Sequence, residues 1–414
     1  MSRRLSARLW ASVVAAALVL AAGCSVDGTA DRRSSSTRPP PGPGIAGTGT
    51  LPNPASAWPA AGFDARHSSG TTAVGPQTGR VRWQKQLGGS VTPGPVIGVD
   101  GSVLAATNAG VLHALNPATG QERWAFDGMS RYGSDLSTSP AVLGDGTILW
   151  PGPGDMLFAL SSAGRELWHE QFAGQPLSPA IAGVGRVYVS DLAGHLTALQ
   201  VTGVSHRVVW TLELHTSNDY ASATVGPDGT VYTAADHDLV AVRDLGDSGT
   251  ELWRRKTAST VEVSNPVGPD GTVVLGTNGD KEFGVRSDGS TGWAFDKNSY
   301  TYSSAVVRPD AIAYFGDNAG HLRALNSQTG KLIYDVQGSA ERRTASIWTS
   351  PVVDAHGDAY VATVTGHIYG FDARGHQLFD VATGSQIDCY PSIDADGTLY
   401  IGSTSGVLYA VGGS

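Results

Sequence analysis

Cysteine is nearly absent: the 414 residues contain two, Cys24 and Cys389. With Cys24 in the N-terminal leader region, Cys389 has no partner, and the folded part holds no internal disulfide. Charge is also scarce, with 16% Asp, Glu, Lys and Arg, and the balance is acidic at −9. An acidic surface argues against nucleic-acid binding, which needs a basic footprint, and against electrostatic docking on anionic lipid. Lysine is rarest among the charges, 5 against 23 arginines, a composition of GC-rich bacterial genomes. No helical period appears beyond the first two dozen residues. No Gly-x-Ser-x-Gly elbow, phosphate loop, zinc-binding helix or EF-hand spacing is present, so the commonest signatures of hydrolysis, nucleotide binding and metal binding are missing.

Glycine, by contrast, is abundant at 54 residues, and tryptophan is periodic. Trp83, Trp124, Trp168, Trp210, Trp253 and Trp293 follow one another at 41, 44, 42, 43 and 40 residues, and Tyr334 and Phe379 continue the phase 41 and 45 residues on. One unit reads from Thr92 to Asp127: a short apolar run at Pro95-Val96-Ile97, an Asp100-Gly101 turn, and a strand over Ser102 to Thr107. An Ala109-Gly110 turn, a strand over Val111 to Leu115, a Thr119-Gly120 turn and a fourth strand carrying Trp124 complete it. Gly after Asp or Ala supplies positive φ at no steric cost, so these pairs are hairpin turns. The same string returns as Ser139 to Trp168, Ser178 to Trp210, Ser222 to Trp253, Asn265 to Trp293, Ser304 to Tyr334 and Ser350 to Phe379.

Four short strands per unit at this period predict an all-β propeller. The ends complement each other. Cys389 to Val411 supplies three strands and Gly79 to Leu87 the missing fourth, so seven complete units and one composite make eight four-stranded blades. That closure leaves no free sheet edge.

The N-terminus reads as an export signal: Arg3, Arg4 and Arg8 precede an apolar stretch, Leu9 to Ala22, too short to span a bilayer. Leu20-Ala21-Ala22-Gly23-Cys24 resembles the lipobox of bacterial lipoproteins, which implies cleavage after Gly23 and lipidation of Cys24. Loss of residues 1–23 removes three arginines and no acids, taking the net charge from −9 to −12. Ser25 to Ser56 is rich in Ser, Pro, Gly and Thr and cannot bury enough apolar area to order itself. The expected organisation is a signal peptide at 1–23, a tether at 24–57 that reaches at most ~100 Å, and the propeller at 58–414.

Ala114-Leu-Asn-Pro-Ala-Thr-Gly-Gln-Glu-Arg-Trp124 and Ala324-Leu-Asn-Ser-Gln-Thr-Gly-Lys-Leu-Ile-Tyr334 resemble the tryptophan-docking motif of pyrroloquinoline-quinone (PQQ) repeat propellers. In that motif a Trp on the outermost strand packs against the next blade. The resemblance runs from about Trp58 to the C-terminus and assigns docking positions to Trp83, Trp124, Trp168, Trp210, Trp253, Trp293, Tyr334 and Phe379. Tyr334 and Phe379 replace Trp, which implies looser docking. Within this family the quinoprotein dehydrogenases carry long insertions and a vicinal Cys-Cys pair that stacks on the cofactor, and this chain has neither. The chain is similar in size, anchoring and blade count to the eight-bladed lipoprotein of the outer-membrane β-barrel assembly machinery, a non-catalytic scaffold. Related propellers also form the sensor domains of bacterial Ser/Thr kinases.

The least repetitive parts of the chain are the connections from one blade's outer strand to the next blade's inner strand. They carry Arg131, Tyr132, Asp135, Asp219, Tyr220, Glu262, Tyr300, Tyr302, Arg342, Arg343, Trp348, Asp388 and Tyr390. Mixed charges and aromatics on loops held by a rigid scaffold are the composition of a binding surface. His195, His321 and His367 each follow a turn glycine in the same repeat position and are read as turn-flanking rather than metal-ligating. Cys389 is read as a buried small hydrophobe. The expectation is a non-enzymatic, lipid-anchored, monomeric envelope scaffold that binds a protein, peptide or glycan, with no catalytic residue, cofactor, metal or nucleic acid. The alternatives are a small-molecule envelope sensor and a quinone-dependent oxidoreductase using the central channel.

Overall fold

The computed structural model describes residues 56–68, 71–129, 138–183, 185–218, 220–337 and 345–412. The leader and Cys24 lie outside the described residues. The rest is an eight-bladed propeller of antiparallel sheets whose strands run in sequence order from the axis outward. Blade 1 is typical: Val96–Ile97 is innermost, followed by Val103–Thr107, Val111–Leu115 and Glu122–Asp127. The turn between its first two strands is set by chemistry visible in the sequence. Asp100 accepts the Ser102 N–H at 3.0 Å and the Ser102 hydroxyl at 2.8 Å, and Gly101 takes φ +74°. The same Asp-to-hydroxyl clasp recurs at Asp228 and Thr230 and at Asp270 and Thr272.

Blade 8 is the composite. Val81–Gln86 pairs antiparallel with Val407–Val411, beside Leu399–Gly402 and Ser392–Ile393. One blade departs from the four-stranded expectation. Blade 5 has three strands, Val273–Leu275, Lys281–Val285 and Thr291–Asp296, and its innermost strand is reduced to a single bridge between Val267 and Val273. Pro266 stands where the other blades begin that strand, and a proline has no N–H to give to a ladder.

The second and third strands of blade 1 are buried almost throughout, whereas its outer strand alternates. The apolar cores accordingly lie between neighbouring blades. Leu104, Leu112 and Phe126 of blade 1 pack with Trp150 and Phe158 of blade 2, and a corresponding cluster fills the gap between blades 6 and 7.

The docking tryptophans tie these wedges together at the rim. Trp83 donates its indole N–H to Pro117 O at 2.8 Å, Trp124 to Ser162 O at 2.9 Å, Trp253 to Ser287 O at 2.8 Å and Trp293 to Ser327 O at 2.7 Å. Each acceptor belongs to the outer turn of the following blade. Trp210 instead donates to the Asp244 carboxylate at 3.0 Å. Trp168 stacks on His206 of blade 3, ring centroids 3.9 Å apart. Tyr334 and Phe379 are as buried as Trp293 but make no such bond, and the Tyr334 hydroxyl is buried without a partner among the described residues.

Residues ahead of blade 8 have a role that the repeat does not announce. The innermost strands are only two residues long, so the amide of each second residue needs an acceptor from outside its sheet. Residues 58–67 supply it to five blades in rotation. Ile97 N donates to Trp58 O at 2.8 Å, Val142 N to Pro59 O at 2.8 Å, and Val225 N to Ala65 O at 2.7 Å. Val267 N donates to Arg66 O at 3.1 Å and Val307 N to His67 O at 3.2 Å, and in the turn after the innermost strand of blade 7 Ala355 N donates to Ala73 O at 2.9 Å. Gly75 N then donates to Asp354 Oδ2 at 2.8 Å before the chain enters its strand of blade 8. This strap is anchored by Trp58, which is buried and meets Phe63 edge to face at 5.2 Å.

Candidate functional site at the channel mouth

The innermost strands run from the inter-blade connections down to the strap, so the strap closes one end of the central channel and leaves a pit open at the other. The pit has a volume of about 260 Å³. Ala61 and His67 of the strap contribute to its lining, and the connections of blades 1 to 5 and 8 supply its walls.

One position recurs at the start of every innermost strand: Gly94, Ser139, Ser178, Ser222, Ser264, Ser304, Ser350 and Tyr390. Gly94 apart, these residues make a ring of hydroxyl-bearing side chains, and those of blades 4 to 6 are linked in series. Ser222 N donates to Ser264 Oγ at 3.1 Å and Ser264 N to Ser304 Oγ at 3.0 Å. Each of these two oxygens accepts a backbone amide, which leaves its proton free to donate elsewhere. Tyr390 breaks the ring. Its hydroxyl lies beside Ser304 and Ser350, and burial pushes its pKa up. Glycine at position 94 makes room for it, since a Cβ there would sit 3.0 Å from Tyr390 Cβ and 3.3 Å from Ser139 Oγ. Tyr390 therefore covers the side of blades 6 and 7, and the pit opens over blades 1 to 5.

Of the residues singled out from the sequence, Tyr220, Asp388 and Tyr390 line the pit. Tyr220 stands at its rim, 61% exposed, with φ +69°. Burial holds the Asp388 carboxyl above the ordinary carboxylate range, and Gln386 Nε2 donates to both of its oxygens at 3.0 and 2.9 Å. Tyr300, Tyr302 and Trp348 gather beside the pit into an aromatic cluster, successive rings meeting edge to face at 5.6 and 5.5 Å. Glu262 adjoins it: its charge and, more strongly, burial raise the Tyr302 pKa. Trp348 is fixed by its indole N–H, which donates to Asn318 Oδ1. Arg131, Tyr132, Asp135, Asp219, Arg342 and Arg343 lie outside the described residues.

The sequence reading assigned nothing to His67, Ser139, Ser178, Ser222 or Ser264. Ser139, Ser178 and Ser222 open their units in the sequence and Ser264 directly precedes its unit at Asn265, but their convergence needs the ring to close. His67 is out of phase with every repeat. It is 6% exposed, with its ring packed on Gly62 and without a hydrogen-bonding partner among the described residues. Desolvation lowers its pKa to about 4, so it is neutral at physiological pH.

Other candidates are paired. His195, His321 and His367 contact Asp191, Asp335 and Asp380 of their own blades at 3.2, 2.6 and 2.6 Å. Among the described residues no group of three or more His, Cys, Asp or Glu is placed to hold a metal. Cys389 is fully buried, its thiol donates to Pro93 O at 3.2 Å, and burial pushes its pKa up to about 12.

Known proteins share this architecture. The outer membrane protein assembly factor BamB of Yersinia pestis is 25% identical over 304 residues, covering 72% of this chain and 66% of that protein, just under two thirds of its length. The crystal structure of BamB from Moraxella catarrhalis superimposes with a TM-score of 0.63 over 80% of this chain and 99% of that one, at 16% identity. The quinohemoprotein alcohol dehydrogenase of Comamonas testosteroni gives a TM-score of 0.68 over 89% of this chain and 82% of that one, at 13% identity. These two likenesses carry the fold alone. Pyrroloquinoline quinone is a tricarboxylate, and the described pit lining offers a carboxyl, Asp388, and no lysine or arginine, so these residues do not fit that cofactor. The model described as outer membrane protein assembly factor BamB matches residues 68–135, 109–218 and 204–412, and the chain belongs to that family of PQQ-type repeat propellers.

Proposed function

We propose that this protein is a lipid-anchored scaffold of the bacterial cell envelope that docks a protein partner on its channel-mouth face. The observation that carries the reading is the aromatic cluster of Tyr300, Tyr302 and Trp348. Tyr300 and Tyr302 are 44% and 38% exposed in an otherwise polar setting, and their connections are held by rigid blades. Tyr and Trp bring large contact area with few rotatable bonds, which is why they anchor protein interfaces. Rigid blades hold the loops in advance, so little ordering entropy is lost on binding.

The names of the relatives supply the process, the assembly of outer membrane proteins. Carried over, they make the partner an envelope protein of that kind and the propeller a non-enzymatic accessory. Export by residues 1–23, lipidation at Cys24 and a tether to residue 57 would place the disc near a membrane, facing the periplasm or the cell exterior.

The test is recovery of co-purifying protein from native membranes with Tyr220, Tyr300, Tyr302 and Trp348 replaced together by alanine. Loss of a stoichiometric partner supports the docking face. Unchanged recovery removes it. Cys24→Ala, scored by release from the membrane fraction, tests the anchor separately.

A further inference from the structure

Besides the aromatic cluster, the channel-mouth face holds the pit, whose chemistry is different. We propose that the pit binds one neutral sugar ring, with the His67 imidazole meeting a ligand hydroxyl at the floor and the serine ring meeting others along the wall. This stands apart from the protein-docking reading, since its hydrogen-bonding side chains are others and only Tyr220 at the rim is shared.

Three observations converge on that ligand. The first is His67 itself. A polar side chain more than nine-tenths buried, without a hydrogen-bonding partner among the described residues, lines the cavity on its strap side. Its ring nitrogens are not sealed in protein, so a ligand group in the cavity can pair with them. A neutral imidazole has one donor and one acceptor nitrogen, the pairing a sugar hydroxyl offers in return. Burial keeps the ring in that neutral form.

The second is the wall. Thr92, Thr138, Ser139, Ser178, Ser222 and Ser264, all hydroxyl-bearing, line the space. The charged side chain of the described lining is Asp388, a carboxylic acid with its oxygens already engaged by Gln386. An anionic ligand would meet that carboxyl and no cation, in a protein of net charge −9. A cation would find no cluster of three or more metal-ligating groups among the described residues. An uncharged ligand rich in hydroxyls matches what is left.

The third is size and shape. About 260 Å³ lies below the range of sites for drug-sized molecules. It is room for a single sugar ring. Pro93 and Leu177 give the wall apolar patches, and the exposed ring of Tyr220 at the rim offers a face for a sugar's C–H surface.

The experiment is saturation-transfer NMR with calorimetry on the intact chain. The probes are free glucose, galactose, mannose and N-acetylglucosamine, together with the methyl glycoside of each. The expected result is saturable binding of at least one of them with a Kd on the order of 1 mM. His67→Phe removes both ring nitrogens and is expected to weaken it by about tenfold or more, the scale of one buried hydrogen bond. Ser178→Ala takes a hydroxyl from the wall at a position with no other bond, is expected to fold normally, and lowers affinity by about threefold. Binding of free sugar but not its glycoside identifies a free monosaccharide as ligand. Binding of both identifies the terminal residue of a glycan as well. The proposal is overturned if no probe saturates the wild-type protein, or if binding is unchanged in Ser178→Ala and in a folded His67→Phe. Partner recovery from membranes does not enter this readout, so either idea can fail alone.

Discussion

The Trp124 indole lies over Gly164 of the following blade while its N–H donates to Ser162 O at 2.9 Å. A Cβ built on Gly164 would come within 2.5 Å of the ring, and the glycine has φ +75°. One residue thus meets two demands, a left-handed turn and close approach of an indole. Gly101 has nearly the same φ, +74°, but faces open space. The pair separates the two demands. Gly101→Ala is expected to cost about 1 kcal/mol for the backbone alone, and Gly164→Ala about 2–4 kcal/mol because overpacking is added. Urea unfolding monitored by tryptophan fluorescence gives both. Equal losses would show that the indole moves aside freely and that docking is not tight.

A buried ion pair sits in blade 5. Lys297 Nζ lies 3.1 Å from Glu282 Oε2, both side chains fully buried, and it also donates to Thr277 O at 2.9 Å. Burial pushes the Glu282 carboxyl up, opposed by Lys297, and its second oxygen has no partner among the described residues. Lys297→Met strands that carboxyl and is expected to destabilise by about 3–5 kcal/mol. Glu282→Leu combined with Lys297→Met removes both charges and is expected to recover most of the loss. A double variant no more stable than the single one would mean that the pair is worth more than its desolvation costs.

Protonation of His67 links stability to pH. Burial lowers its pKa from 6.5 to about 4, so the folded state resists a proton that the unfolded chain accepts. The contribution is complete above about pH 6.5 and declines as the pH falls toward 4, with a slope of up to about 1.4 kcal/mol per unit. Asp64 on the strap and Asp388 on the wall are raised by burial and act in the opposite sense, losing stability as pH rises through their range. His67→Gln isolates the histidine. Its stability measured from pH 7 to 4 is expected to fall less steeply than that of the wild type. Parallel profiles would place the His67 ring in water rather than in the channel floor.

Much of the architecture was legible because it is written in side chains at a fixed period. The tryptophan spacing fixed the blade number, the Asp-Gly-Ser/Thr strings marked the inner turns, and the incomplete ends predicted the pairing of Val81–Gln86 with Val407–Val411. The lost inner strand of blade 5 could also have been read, since Pro266 stands one place later than Pro95, Pro140 and Pro179 do in their units. The strap was not legible. It binds the blades through its carbonyls, which every residue has, and only Trp58 and Phe63 hinted that residues before the first strand were buried. The pit was half legible. Its loops stand out in the sequence by their failure to repeat, whereas its serines repeat at or beside the starts of the units and so look like boundaries. Which of them face the axis depends on closure of the ring, and no local pattern reports that.

The docking claim is tested most directly by photo-cross-linking in the living envelope. A photoreactive amino acid is placed at Tyr302 in the aromatic cluster and, separately, at Val204, which is 80% exposed in the outer turn of blade 3 on the opposite face. The account predicts one dominant envelope-protein adduct from position 302, absent from 204 and diminished when Cys24 is replaced by alanine. Adducts of equal pattern at both positions, or none at 302, would contradict it.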